Sequence, residues 1–181
     1  MTSIGHTLTG LTLAVAGMPT GLRRPHRPLL LALCGTAANA PDLPLPGWGH
    51  SMYHVSHSLF VNAGLLVLLA VWAAAWPHAR REVASGWRGF GLIAAAWLSH
   101  MLLDSLYDHG RGIAIFWPFS DAHLALPVSW FSTLRPPLRS AHNLQVFGIE
   151  LLFYGAIFLA VLLARRVGVG GRTSSNSGTL P

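Results

Sequence analysis

The chain has 181 residues, 52% of them hydrophobic and 10% charged, with 12 arginines, no lysine, six acids and a formal charge of +6. An average soluble domain carries about 25% charged residues, so this composition argues against a soluble fold, which needs more charge to cover its surface. The basic balance does not point to nucleic acid, because the arginines flank apolar runs. The lone Cys34 excludes an intramolecular disulfide and a cysteine-based zinc knuckle, and it reads as a packing residue.

In chain order, the first apolar segment is residues 4–18. No lysine or arginine precedes it, and Arg23 and Arg24 follow it, so it reads as a retained first helix rather than a signal peptide. Residues 29–43 form a second, equally short segment. Thr and His on the first, and Asn39 and Asp42 on the second, suit faces turned inward. Residues 59–76 carry no charge, and residues 144–164 carry only Glu150. Both match the ~20 apolar residues that cross a bilayer. Residues 90–106 make a further span with His100 and Asp104 in its last two turns. The expected fold is therefore all-α, an integral membrane bundle of about five hydrophobic segments. Its embedded domain covers residues 1–166, and residues 167–181 form a Gly/Ser/Thr-rich disordered tail on the cytoplasmic side.

Arginine positions set an orientation. Arg23, Arg24 and Arg27, then Arg80, Arg81 and Arg88, then Arg165, Arg166 and Arg172 fall on one side of a five-span chain. Arg111, Arg135 and Arg139 fall on the other. The positive-inside rule makes the richer side cytoplasmic, which predicts a bacterial plasma (inner) membrane protein with its amino terminus outside and its carboxyl terminus inside. That assignment, made without using histidine or aspartate, puts all four aspartates and eight of ten histidines outside; His26 and His78 are the exceptions. Ionisable residues at a membrane edge are costly, and a cluster of them marks a functional site. Trp117, Pro118, Phe119, Trp130 and Phe131 in the long outer loop suit an interfacial lid.

Within that cluster, His100 and Asp104 are spaced i, i+4 on one helical face. A neutral imidazole and a carboxylate so placed suit a divalent metal, Zn²⁺ foremost, or a structural His–Asp hydrogen bond. His54 and His57 stand i, i+3 ahead of the third segment, His57 nearer the span, with Ser58 placed to cap the helix. Asp42 lies between Pro41 and Pro44, which break the helix and hold a carboxylate at a turn. It is a metal ligand, or the base that activates a metal-bound water, or a turn residue. His6 opens the first segment. The expected metal set is His6, Asp42, His57, His100 and Asp104, with Asp42 also the catalytic candidate. Additional candidates on the same side are His54, His109, His123, His142 and Glu150. There is no phosphate loop, G-x-S-x-G elbow or H-E-x-x-H motif.

The ordered set Gly5-His6-Thr7, Pro41-Asp42-Leu43, His57-Ser58, Ser99-His100 through Asp104-Ser105, then Gly110 and Trp117-Pro118-Phe119-Ser120 resembles the YdjM-like family of membrane-bound metal-dependent hydrolases. The family's histidine–arginine pair ahead of its Thr-His-Ser motif has no counterpart in His54-Val55-Ser56-His57-Ser58. The His/Asp order is also similar, more distantly, to zinc-dependent phospholipase C and P1-type nucleases. The resemblance implies a metal-dependent hydrolase, acting on a phosphoester or lipid-linked substrate through metal-activated water. Membrane lipid and a small or lipid-linked substrate are the expected partners, with no nucleic acid. The competing readings are a proton- or metal-translocating protein and a non-catalytic scaffold with a structural metal site.

Overall fold

The computed structural model describes residues 1–19, 21–76, 78, 86–108, 110–126, 128 and 130–174. Arg80, Arg81, His109 and residues 175–181 lie outside the described residues, as does the side chain of His50. Six α-helices make up the described chain: α1 Ser3–Gly17, α2 His26–Ala37, α3 Tyr53–Ser56, α4 Leu59–Ala75, α5 Trp87–Asp104 and α6 Ala141–Ser174. Two 3₁₀ turns, Ala40–Asp42 and Gly49–Met52, join α2 to α3. There is no strand among the described residues beyond one antiparallel bridge between Ile113 and Leu124 in the loop before α6.

Side-chain chemistry sets the helix starts. The Thr2 hydroxyl accepts from Ile4 N at the start of α1, and Ser58 accepts from Val61 N at the start of α4, as its position suggested. Helix α6 is the one described helix long and apolar enough to cross a membrane, over Ala141–Val167, while Leu59–Ala75 is apolar but shorter. The segment expected as a tail from residue 167 begins inside α6, which runs on to Ser174.

Helix α1 is the hub and packs on α2, α5 and α6. Small residues let it approach α2: a Cβ at Gly10 would run into the carbonyl of Cys34 and lie 3.0 Å from the Ala38 methyl. Leu30, Cys34, Ala37, Ala14 and Ala96 complete that core. Helices α1 and α6 run in the same direction. Glu150, near the start of α6, holds Thr2, while Arg165, near its end, donates to Val15 O at 2.5 Å and Met18 O at 2.8 Å. That guanidinium satisfies carbonyls left open at the α1 carboxyl end.

The outer faces are apolar. Leu68 on α4 is 66% exposed and Leu152 on α6 is 75% exposed. A bare apolar surface of this extent marks a face that meets lipid or protein rather than water. The loop between α5 and α6 folds back over the starts of α4 and α6. Leu59 N donates to Ile115 O at 2.9 Å and Val128 N to Leu106 O at 2.8 Å. Phe131 is buried and stacks on Tyr107, whereas Phe119 and Trp130 stay exposed.

Candidate metal centre

Two helix ends and one turn deliver the four residues of the site. His100 and Asp104 come from the last two turns of α5, where the i, i+4 spacing puts both on one face. His57 ends α3 and precedes the Ser58 cap. Asp42 closes the 3₁₀ turn that Pro41 opens, and Trp48 Nε1 braces that turn by donating to Ala40 O at 2.8 Å. Gly49 is needed behind it, because its φ is +59° and a Cβ there would meet Leu43 O. Asn62 locks the His57 segment from α4, donating to Ser56 O and Ser58 O at 2.7 Å each and accepting from Trp97 Nε1 at 2.6 Å.

The donor atoms of Asp42, His57, His100 and Asp104 lie within 4.8 Å of one another. His57 Nε2 is 3.2 Å from His100 Nε2, 3.3 Å from Asp104 Oδ2 and 3.4 Å from Asp42 Oδ1. His100 Nε2 is 3.5 Å from Asp104 Oδ2 and 3.7 Å from Asp42 Oδ2. The three residues His57, His100 and Asp104 are buried, and Asp42 keeps 17% of its side chain exposed at the mouth.

Outer hydrogen bonds decide what these atoms can be. His100 Nδ1 is 2.8 Å from Ala38 O, which only accepts, so Nδ1 carries the proton and Nε2 presents a lone pair. His57 Nδ1 is 2.8 Å from Ser56 Oγ, which in turn reaches Gly49 O at 3.2 Å. The hydroxyl donates to that carbonyl and accepts from Nδ1, so His57 Nε2 also faces inward as a lone pair. Two lone-pair nitrogens and two carboxylates facing one another out of water require a cation between them, either protons or a metal. The proton solution is visible at His57. Burial alone would lower its pKa, but Asp104 and Asp42 outweigh burial and raise it above the ordinary imidazole range.

The metal solution fits the spacing. Donors at the ~2.0–2.1 Å bond lengths of a tetrahedral zinc site stand about 3.3–3.4 Å apart; His57 Nε2, His100 Nε2 and Asp104 Oδ2 stand 3.2–3.5 Å apart, and with Asp42 the four donors lie within 4.8 Å. A set of two imidazoles and two carboxylates suits a borderline transition metal better than an all-oxygen ion such as Ca²⁺. Imidazoles pinned at Nδ1 by a carbonyl and a hydroxyl are the usual outer support of such ligands.

His6 sits beside this group rather than in it. Its ring stacks on His100 with centroids 3.7 Å apart, and its Nε2 lies 3.2 Å from Asp104 Oδ1, the carboxylate oxygen on the other side from His57. Both its ring nitrogens are buried with no hydrogen-bond partner among the described residues. The Met1 nitrogen also meets Asp104 Oδ1, at 3.0 Å.

The other candidates are not gathered with the four. His54 is exposed and packs edge-on to Trp117. His123 is exposed beside Asp121 O, and His142 lies 3.0 Å from Thr133 O. Glu150 is buried but grips Thr2, accepting from its backbone N at 2.9 Å and contacting its hydroxyl. Sequence reasoning missed Ser56 and Tyr53. Tyr53 stacks on His57 with centroids 3.8 Å apart, and burial pushes its hydroxyl far above the ordinary range, so it remains a phenol. Their positions in Tyr53-His54-Val55-Ser56-His57, four and one before the ligand, were the available signal.

Residues 1–170 match the family described as YdjM inner membrane protein, and the chain belongs to that family. No curated protein and no solved structure matches it.

Proposed function

We propose that this member of the YdjM inner membrane protein family is a metal-dependent hydrolase, with His57, His100 and Asp104 as ligands and Asp42 at the open side. The observation that carries the reading is the inward pair of Nε2 lone pairs, 3.2 Å apart and fixed in tautomer by Ala38 O and Ser56 Oγ. Three buried ligands plus one accessible position is the pattern of catalytic rather than structural zinc. A divalent ion held there, zinc by its donor set, supplies Lewis acidity and acidifies a bound water towards about pH 7.

The chain's own residues do the rest. Asp42 has the exposure to take a proton from water and hand it to solvent. The Met1 nitrogen holds Asp104 through its outer oxygen, leaving its inner oxygen for the ion. The buried walls around His57 and His100 keep bulk water from competing.

In this reading the helices form a bundle of five membrane segments, with the amino terminus and the site outside and the carboxyl terminus in the cytoplasm. The parallel course of α1 and α6 and the position of Arg165 at the end of α1 remote from Thr2 support that orientation. The substrate is a phosphoester reached from the membrane edge. The test is turnover of phosphodiester and phosphomonoester substrates by the zinc-loaded protein in detergent. Activity that chelator abolishes, zinc restores and Asp104→Asn removes supports the reading. A metal-loaded protein that turns over no such substrate refutes it and leaves a structural metal site.

A further inference from the structure

Behind the metal centre, between α1, α5, α6 and the loop before α6, lies a cavity of about 400 Å³ lined chiefly by Leu103, Leu106, Val128, Phe131, Phe153 and Ile157. Few polar groups edge it. Thr9 and Thr12 also line it, but their hydroxyls donate back along α1 to Gly5 O at 2.9 Å and Leu8 O at 2.7 Å. They therefore offer methyl groups to the cavity. The Tyr154 hydroxyl accepts from that of Tyr107 at 3.4 Å. With Trp130 the remaining lining is overwhelmingly apolar, so a hydrocarbon gains most by filling the space.

The wall built by Phe153, Tyr154 and Ile157 belongs to α6, the helix long and apolar enough to cross a bilayer. The family is one of inner membrane proteins. One wall of the cavity is thus formed by the helix long and apolar enough to cross a bilayer, and the occupant available beside such a helix is a lipid tail. Its volume of about 400 Å³ is within the ~300–1,000 Å³ of ligand pockets, enough for part of an acyl or isoprenoid chain.

The cavity also adjoins the metal centre along the chain. Leu103 precedes Asp104, and Thr9 follows His6 by three residues, within one helical turn of ~5.4 Å. We propose that this cavity is a binding subsite for the hydrocarbon chain of a lipid substrate, holding the tail while the polar linkage lies at His57, His100 and Asp104. This rests on the hydrolase reading for the identity of the bond cleaved, but binding of the chain does not.

Native mass spectrometry of the full-length protein, released from nanodiscs of palmitoyl-oleoyl phosphatidylglycerol, tests it, with metal content measured on the same samples. Thr12→Phe and Ile157→Trp fill the cavity, and Leu152→Trp adds the same bulk on the outer face of α6. The expected result is about one retained lipid per chain in the parent and in Leu152→Trp, reduced at least about fivefold in both filled variants, with metal content equal in all four. Retention unchanged by filling, no retention in the parent, or equal loss in Leu152→Trp would overturn the subsite. Absence of metal with lipid retained would instead overturn the hydrolase reading and leave the subsite standing.

Discussion

Ser56 makes no contact with the proposed ion, yet replacing it with alanine should weaken metal binding. Its Oγ lies 2.8 Å from His57 Nδ1 and is fully buried. It donates its own hydrogen bond to Gly49 O, 3.2 Å away. Ser56→Ala removes the acceptor that keeps the proton on Nδ1 and leaves a buried N–H without a partner, a cost of about 1–3 kcal/mol. Loss of an outer partner of a ligating histidine lowers metal affinity about 10- to 100-fold, or ~1.4–2.8 kcal/mol, so the two routes agree. Competition titration against a fluorescent zinc chelator, on detergent-purified protein of unchanged helical content, measures the effect. Ser51→Ala is the control, because Ser51 is exposed and its hydroxyl donates to Trp48 O. A dissociation constant for Ser56→Ala within about twofold of the parent value would refute the argument that this hydroxyl sets the imidazole.

Asp42→Asn keeps the size of the side chain and removes its basicity; hydrolysis should fall at least about 100-fold with metal content retained. Complete loss of metal would make Asp42 a ligand rather than the base. Metal affinity should rise with pH from about 6.5 upward through the raised His57 value, with proton release on binding, measured by calorimetry in buffers of different ionisation enthalpy. The sign follows from His57. Its raised pKa stabilises the metal-free protein at acid pH, and that contribution fades as pH rises through the raised value. The metal must displace this proton, so the bound form gains in the opposite direction, and a pH-independent affinity would contradict the assignment. Gly10→Ala should lower stability by about 1–3 kcal/mol through the clash with α2. Gly64→Ala, whose Cβ would meet nothing within 4 Å, should not, and thermal denaturation in detergent compares them.

The legible part of the site was its local part. His100 and Asp104 share a face by helical arithmetic, and Pro41 announces the turn that carries Asp42. The Ser58 cap was equally local, since it needs only a hydroxyl three residues ahead of an amide. What could not be read from spacing was long-range. Glu150 clamps Thr2 across 148 positions, so a buried acid that looked like a candidate for the cluster instead ties α6 to α1. His6 converges on the site, yet faces the outer oxygen of Asp104, a distinction that depends on ring orientation rather than position. His54 and His57 differ by less than one turn, but the end of α3 turns one inward and leaves the other at the surface. The all-helical class followed from composition and apolar runs. Helices α1 and α2, 15 and 12 residues long, are shorter than a bilayer crossing requires. Their polar Thr, His and Asn residues are used against neighbouring helices, as when Asn39 donates to Thr7 Oγ1 at 3.0 Å.

The central claim is that His57, His100 and Asp104 hold a metal ion with Asp42 at its open side, and elemental mass spectrometry of the purified protein tests it most directly. The account predicts about one zinc or similar ion per chain, lost in His100→Ala of equal helical content. A folded parent protein that carries no metal, even after incubation with Zn²⁺ or Mn²⁺, would contradict it and reduce the cluster to a proton-bridged His–Asp network.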